Sequence, residues 1–150
     1  MKNILPEWLF QNLSRNYNLC DIQELRIRKN QPIQICYKGK MVELKAETGI
    51  YQKPLYATSE LIEQIVMFAT KRSLYAFDEQ IKNGYIITEN GIRIGLCGTA
   101  VVSDGKISLI KKISSLNIRI GHNIIDCSSD IIHFIASGQN VKNTLILFFD

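Results

Sequence analysis

The chain has 150 residues, of which 46% are hydrophobic and 21% charged, and it carries a formal net charge of +4. That composition describes one compact domain with a real core and excludes a disordered chain. The basic residues are scattered rather than run together, so no nucleic-acid-binding arm is marked. No apolar run approaches the roughly 20 residues that span a bilayer, and "MKNILPEWLF" is too short and polar for a signal peptide.

In chain order, Leu9 and Leu13 fall four apart after Pro6, which predicts a short amphipathic helix ending near Asn16 to Asn18 and lying as a lid on the core. From Glu24 to Leu44 the period changes to two, through "ELRIR", "IQICY" and "MVEL", with Lys38-Gly39 as a hairpin connection. "KAETGIYQKPLYAT" has no sustained period and reads as a loop. Ser59 is a plausible N-cap for a helix whose inner face is Leu61, Ile62, Ile65, Val66 and Ala69. Leu74, Phe77 and Ile81 repeat that pattern in a second helix, stopped by Asn83-Gly84. Asn90-Gly91 between alternating runs signals a type I′ hairpin, and Asp104-Gly105 supplies the next turn of an antiparallel meander. Ser128 to Ser137 reads as a last helix with Ile131, Ile132 and Ile135 inward, followed by the nearly all-apolar run Leu145 to Phe149. The sum is an α+β fold: antiparallel strands in one sheet, helices covering one face.

Only six of the 18 basic residues are arginines, yet four of those six stand between alternating aliphatic residues. Arg26 and Arg28 lie in "ELRIR", Arg93 in "GIRIG" and Arg119 in "NIRIG". If Leu25, Ile27, Ile92, Ile94, Ile118 and Ile120 face the core, these arginines share the opposite kind of face. One arginine on a strand is ordinarily a solvated residue whose stem covers apolar surface. Three strands doing so point to anion recognition, because the planar guanidinium fork fits carboxylate or phosphate better than an ammonium does.

Other candidates carry less. Cys20, Cys36, Cys97 and Cys127 form no Cys-x-x-Cys pair and read as buried thiols of a reducing cytosol. His122, His133, Asp126 and Cys127 match no standard metal spacing. Tyr75, Phe77 and Tyr85 could stack on bases, but their spacing favours the core. No Ser-His-Asp order or informative acid pair suggests catalysis, and Asp78 with Glu79 reads as a solvated helix face.

"GYIIT" at Gly84 to Thr88, "GIRIGLCGTAV" at Gly91 to Val101 and "IKKISSLNIRI" at Ile110 to Ile120 together resemble the stage III sporulation protein AA family of spore-forming Firmicutes. "ELRIRKNQPI" and "KRSLYAFDEQIKNGYI" extend the resemblance from about Glu24 to Leu147. Ile92 departs from it, standing where the family commonly has histidine. The family is one of ATPases related to secretion and type IV pilus motors, so the resemblance implies that residues 1–137 are an amino-terminal regulatory and assembly domain. Residues 138–150 would be a linker and the first strand of an ATPase domain. In the family, "NTLI" leads into Gly-x-x-x-x-Gly-Lys-Ser/Thr, the loop whose backbone N–H groups cradle phosphates. This sequence contains no such loop, so catalysis is not expected of the chain itself, while ATP and magnesium are implied for the intact family protein.

On that reading Arg93 and Arg119, with Arg26 and Arg28 behind them, reach toward nucleotide phosphates held by a separate ATPase core. The implied partners are that core, neighbouring subunits in a ring, and membrane components of a sporulation export complex. The implied place is the mother-cell cytoplasm, peripheral to the membrane, with this chain alone a monomer or weak dimer. The competing reading is a stand-alone basic module binding nucleic acid or another polyanion, which requires an arginine face rimmed by lysines.

Overall fold

The computed structural model describes residues 1–46, 53–121, 129–137 and 140–141. In order, the elements are α1 (Glu7–Asn16), a 3-10 turn (Leu19–Asp21), β1 (Ile22–Arg28), β2 (Gln34–Tyr37), β3 (Lys40–Glu43) and the short β4 (Lys45–Ala46) and β5 (Lys53–Pro54). Then come α2 (Ser59–Ala69), a second 3-10 turn (Leu74–Phe77), α3 (Asp78–Lys82), β6 (Tyr85–Ile87), β7 (Arg93–Ser103), β8 (Lys106–Arg119), α4 (Ser129–Ile135), β9 (Ala136–Ser137) and β10 (Asn140–Val141). Two antiparallel meanders, β1 to β3 and β6 to β8, join edge to edge through β1 and β8 into a six-stranded sheet of order β3-β2-β1-β8-β7-β6. The expected α+β architecture is present.

Alternation decides which side is buried. Leu25, Ile27, Ile35, Ile86, Ile94, Leu96, Leu116 and Ile118 are buried and build one side of the core. Leu9 and Leu13 of α1, with Leu61, Ile62, Ile65 and Val66 of α2, supply the other. Fully burying an aliphatic side chain of this size contributes about 1.5–3 kcal/mol, so this one-sided layer is the main source of stability. The N-cap of α2 lies one residue before the expected Ser59, which is instead the first helical residue: Thr58 Oγ1 accepts from the Leu61 N–H at 3.2 Å.

The turns separate into two kinds. Lys38-Gly39 and Asp104-Gly105 both have positive φ at each residue, as a two-residue type I′ turn requires. Asn90 does not, so the expected type I′ turn there gives way to a three-residue loop, Glu89 to Gly91. The Gly91 N–H bonds the Thr88 carbonyl at 2.9 Å, and the buried Thr88 hydroxyl accepts from the Ile92 N–H at 3.1 Å. A side chain at the strand end therefore sets the loop.

Further expectations are corrected. The segment read as a loop holds the β4–β5 pair, and Leu55 bonds both Leu44 and Ile33. Leu74 is exposed and belongs to a 3-10 turn rather than to a helix continuing through Ile81. Ile131 and Ile132 of α4 are half-exposed rather than inward. Tyr75 is 93% exposed and Tyr85 is also exposed, while Phe77 does pack on the core. Cys20 and Cys97 are exposed and Cys36 is half-buried, so these thiols are not core residues. The expectations for the Leu145 to Phe149 run, the boundary at 138, and His122, Asp126 and Cys127 fall outside the described residues.

Beyond Leu96 on β7 and Ser114 on β8, the two strands leave the six-stranded sheet as a two-stranded arm. A bulge marks the root: register jumps from Cys97 opposite Ser115 to Thr99 opposite Lys111, with Lys112 at φ 47°. Gly98 faces that bulge so closely that an added Cβ would lie 2.7 Å from the Lys111 carbonyl oxygen and 2.9 Å from Ile110 Cγ2. Outward of it every β7 residue from Thr99 to Ser103 is exposed.

Candidate functional site

The sheet's second face carries the arginines, and register fixes their arrangement. One row across the strands reads Arg93, Arg119, Glu24, Cys36. The next reads Gly95, Asn117, Arg26, Gln34, and the third Cys97, Ser115, Arg28. All four arginines singled out in the sequence therefore share one face. They do not converge on one point, since rows lie about 6.7 Å apart along a strand and neighbouring strands about 4.8 Å apart.

Arg93 and Arg119 form the closest pair, directly opposite each other on antiparallel strands. Such neighbours hold their Cβ atoms about 4.5–5.5 Å apart, and like charges placed there are destabilising by up to about 1 kcal/mol. Arg119 is 70% exposed and has Glu24 on its other side, with Nε 3.8 Å from Glu24 Oε2. Glu24 is only 14% exposed and gives its other oxygen to Arg26 in a hydrogen-bonded ion pair. Arg93 has no carboxylate partner among the described residues. The row thus runs from an exposed guanidinium with no carboxylate partner among the described residues, through a second, to a shielded carboxylate that also neutralises Arg26 in the next row.

Beside this row Gly95 leaves bare backbone, and Asn117 Oδ1 is buried without a hydrogen-bond partner. Arg26 and Arg28 open the other way, into a cleft of about 460 Å³ that Gln34, Glu43 and Tyr56 also line. The sequence reading missed Glu24 and Asn117. Glu24 could have been found, because it stands two residues before Arg26 in "ELRIR" and so on the same face. Asn117 gave no signal beyond its place in "NIRIG".

The class so defined is an antiparallel α+β domain with helices on one face of its sheet and an arginine-bearing polar face on the other. The family model for sporulation stage III, protein AA matches residues 2–149. The chain belongs to that family. It is 29% identical over 147 residues to the stage III sporulation protein AA of Bacillus subtilis (strain 168), a match covering 96% of this chain and 44% of the relative's length. The chain thus spans less than half of that curated relative. No solved structure matches. Among the described residues, no helix is long and apolar enough to cross a membrane.

Proposed function

We propose that this chain is the regulatory and assembly domain of a sporulation motor ATPase, and that it presents Arg93 and Arg119 to the phosphates of a nucleotide held by a separate P-loop core. The observation that carries this is the pair itself: two arginines directly opposite on neighbouring strands, one without a carboxylate partner among the described residues, on an exposed face. A multivalent anion between them converts mutual repulsion into two charge-assisted hydrogen-bonding forks. Phosphate oxygens fit that need, whereas Glu24 already compensates Arg26 and half-compensates Arg119. A guanidinium aimed at a γ-phosphate stabilises charge developing in phosphoryl transfer. Magnesium in the intact protein would take oxygen ligands from the core and the nucleotide, because the Glu24 oxygens are engaged by arginines.

On this reading the core and neighbouring subunits of a ring are direct partners, membrane components of an export complex are further ones, and the site of action is the cytoplasmic side of the membrane in the mother cell. The polyanion alternative is weaker on this face, since Glu24 and Glu43 interrupt its positive charge.

The test is isothermal titration of ATP into the chain alone and into the chain with a separately expressed P-loop core, comparing wild type with Arg93→Ala and Arg119→Ala. The chain alone is expected to give no signal. Nucleotide-dependent association with the core should weaken about tenfold in either variant, equivalent to about 1.4 kcal/mol. Association indifferent to both substitutions would refute the arginine-donor role. Tight, steeply salt-dependent binding of the chain alone to DNA or RNA would favour the polyanion module instead.

A further inference from the structure

The cleft beside Arg28 lies two rows along the strands from the Arg93–Arg119 pair, roughly 15 Å away by sheet spacing. Two pieces of backbone frame it. Asn30, in the left-handed region at φ 60°, turns the chain out of β1, and the Gln31 N–H donates to the Arg28 carbonyl at 3.0 Å. The segment Leu55 to Ala57 then runs alongside that turn. The Ile33 N–H donates to the Leu55 carbonyl at 2.8 Å, that of Ala57 to the Gln31 carbonyl at 2.9 Å, and that of Asn30 to the Ala57 carbonyl at 2.8 Å. Pro32 lies opposite Tyr56 in this pairing, so two rings on hydrogen-bonded backbone form a flat wall of the cleft.

Two opposite charges in the cleft are unpaired. Arg26 is engaged by Glu24, but neither Arg28 nor Glu43 has an ion-pair partner among the described residues. They do not pair with each other, although both line the same space of about 460 Å³. That volume suits a small ligand.

We infer that this cleft binds the base of a guanine nucleotide, stacked on Tyr56 and read at two edges by Arg28 and Glu43. The wall favours a planar ligand, because Tyr56 is 57% exposed and offers its face for stacking. The charges select the base. A guanidinium donates in pairs and a carboxylate accepts in pairs, so the ligand needs neighbouring acceptors on one edge and neighbouring donors on another. Guanine carries O6 and N7 on one edge, which fit the arginine fork, and N1–H with the N2 amino group on another. Adenine sets the N7 acceptor beside the N6 donor, so it gives the fork only one acceptor there. Cytosine gathers its acceptors and its N4 amino group on a single edge, which would require Arg28 and Glu43 side by side. The ribose and phosphates then lie at the open mouth, beside the exposed Asn30 and Gln31.

The experiment titrates the 150-residue chain, without a P-loop core, with guanosine, inosine, adenosine and cytidine 5′-monophosphates, followed by calorimetry and amide shifts. Guanosine monophosphate should bind tightest. Inosine monophosphate, which lacks the N2 amino group, should be weaker, and the adenosine and cytidine ligands at least tenfold weaker than guanosine. Shifts should centre on Arg28 to Gln34 and on Tyr56. Glu43→Gln should weaken guanosine monophosphate at least tenfold and narrow its lead over adenosine monophosphate, since glutamine pairs with adenine N6 and N7. Arg28→Ala and Tyr56→Ala should each weaken binding severalfold, whereas Tyr56→Phe keeps the stacking face and should not. All three positions are exposed, so the variants should fold, and the order of the four ligands on wild type decides the matter without them.

Three results would overturn the inference: no binding at about 5 mM ligand, equal affinity for the four monophosphates, or binding indifferent to both Glu43→Gln and Arg28→Ala. Strong binding of a guanine-bearing oligonucleotide with none of the monophosphate would overturn it too, in favour of nucleic acid. The cleft uses neither Arg93 nor Arg119, so its failure and the failure of the arginine-donor reading are separate results.

Discussion

The inner and outer halves of the β7–β8 hairpin are built from the same two strands, yet they differ in what holds them. At the inner end Ile94 faces Ile118 and Leu96 faces Leu116, all buried beneath the helices. At the outer end Val101 faces Leu109 and Val102 faces Ile107, all exposed. Backbone pairing is common to both, so the contrast isolates the covering layer. Strands form wherever alternation and a turn permit, but they are stabilised only where one face is taken out of water.

Truncation breaks the comparison most sharply. Ile94→Ala should destabilise the fold by about 2–5 kcal/mol, as expected for a fully buried aliphatic residue. Val102→Ala, at a position 62% exposed, should stay within about 0.5 kcal/mol. Urea unfolding followed through the fluorescence of Trp8 measures both. Equal losses would mean that the arm is buried against something in the monomer.

The junction between the halves should give an intermediate effect. At Gly98 any side chain meets the Lys111 carbonyl at 2.7 Å and the Ile113 Cα at 3.0 Å. Backbone cannot yield as a flexible side-chain tip can, so Gly98→Ala should cost about 1–3 kcal/mol. It should also perturb amide shifts around Lys111 to Ile113 more than those of the inner row. A neutral effect would show that the bulge rearranges freely.

The smallest effect lies at the start of α2, on the covered side. A hydrogen bond from its own backbone N–H, and then one from the Thr58 hydroxyl, hold the Glu60 carboxyl below the usual carboxylate range. A depressed folded pKa contributes stability that is present above the unfolded carboxylate pKa and is lost as pH falls through the folded value. Glu60→Gln should therefore flatten the decline in stability on acidification, its loss of stability being constant near pH 7 and shrinking toward pH 3. Urea midpoints between about pH 3 and pH 7 test this, and parallel profiles for the two proteins would refute it.

Much of the fold was legible because the chain declares its periods. The alternation of "ELRIR", "GIRIG" and "NIRIG" placed the arginines on one face, and Lys38-Gly39 and Asp104-Gly105 marked two-residue turns where positive φ is needed twice. Asn90-Gly91 carries an equally strong signal, yet the Thr88 hydroxyl selects a different loop, and that depends on Thr88 being buried. Spacing alone places Tyr75, Leu74, Ile131 and Ile132 inward. Spacing shows which residues share a side, not whether anything covers that side. Within the candidate site, membership was readable but rank was not. Only the cross-strand register reveals that Arg93 meets Arg119 while Arg26 spends its charge on Glu24.

The seam between β1 and β8 has a kinetic consequence. Each meander can form from neighbours in sequence, but the pairing of Glu24 with Arg119 joins strands from opposite ends of the domain. Such distant closure is the slow step in sheet assembly, because the chain loses freedom before the contact compensates it. The arginine row crosses that seam, so it exists only after the last closure. A newly synthesised chain cannot offer Arg119 and its Glu24 neighbour as a unit until folding is finished, and the face can engage a partner as an ordered row only from a completed domain.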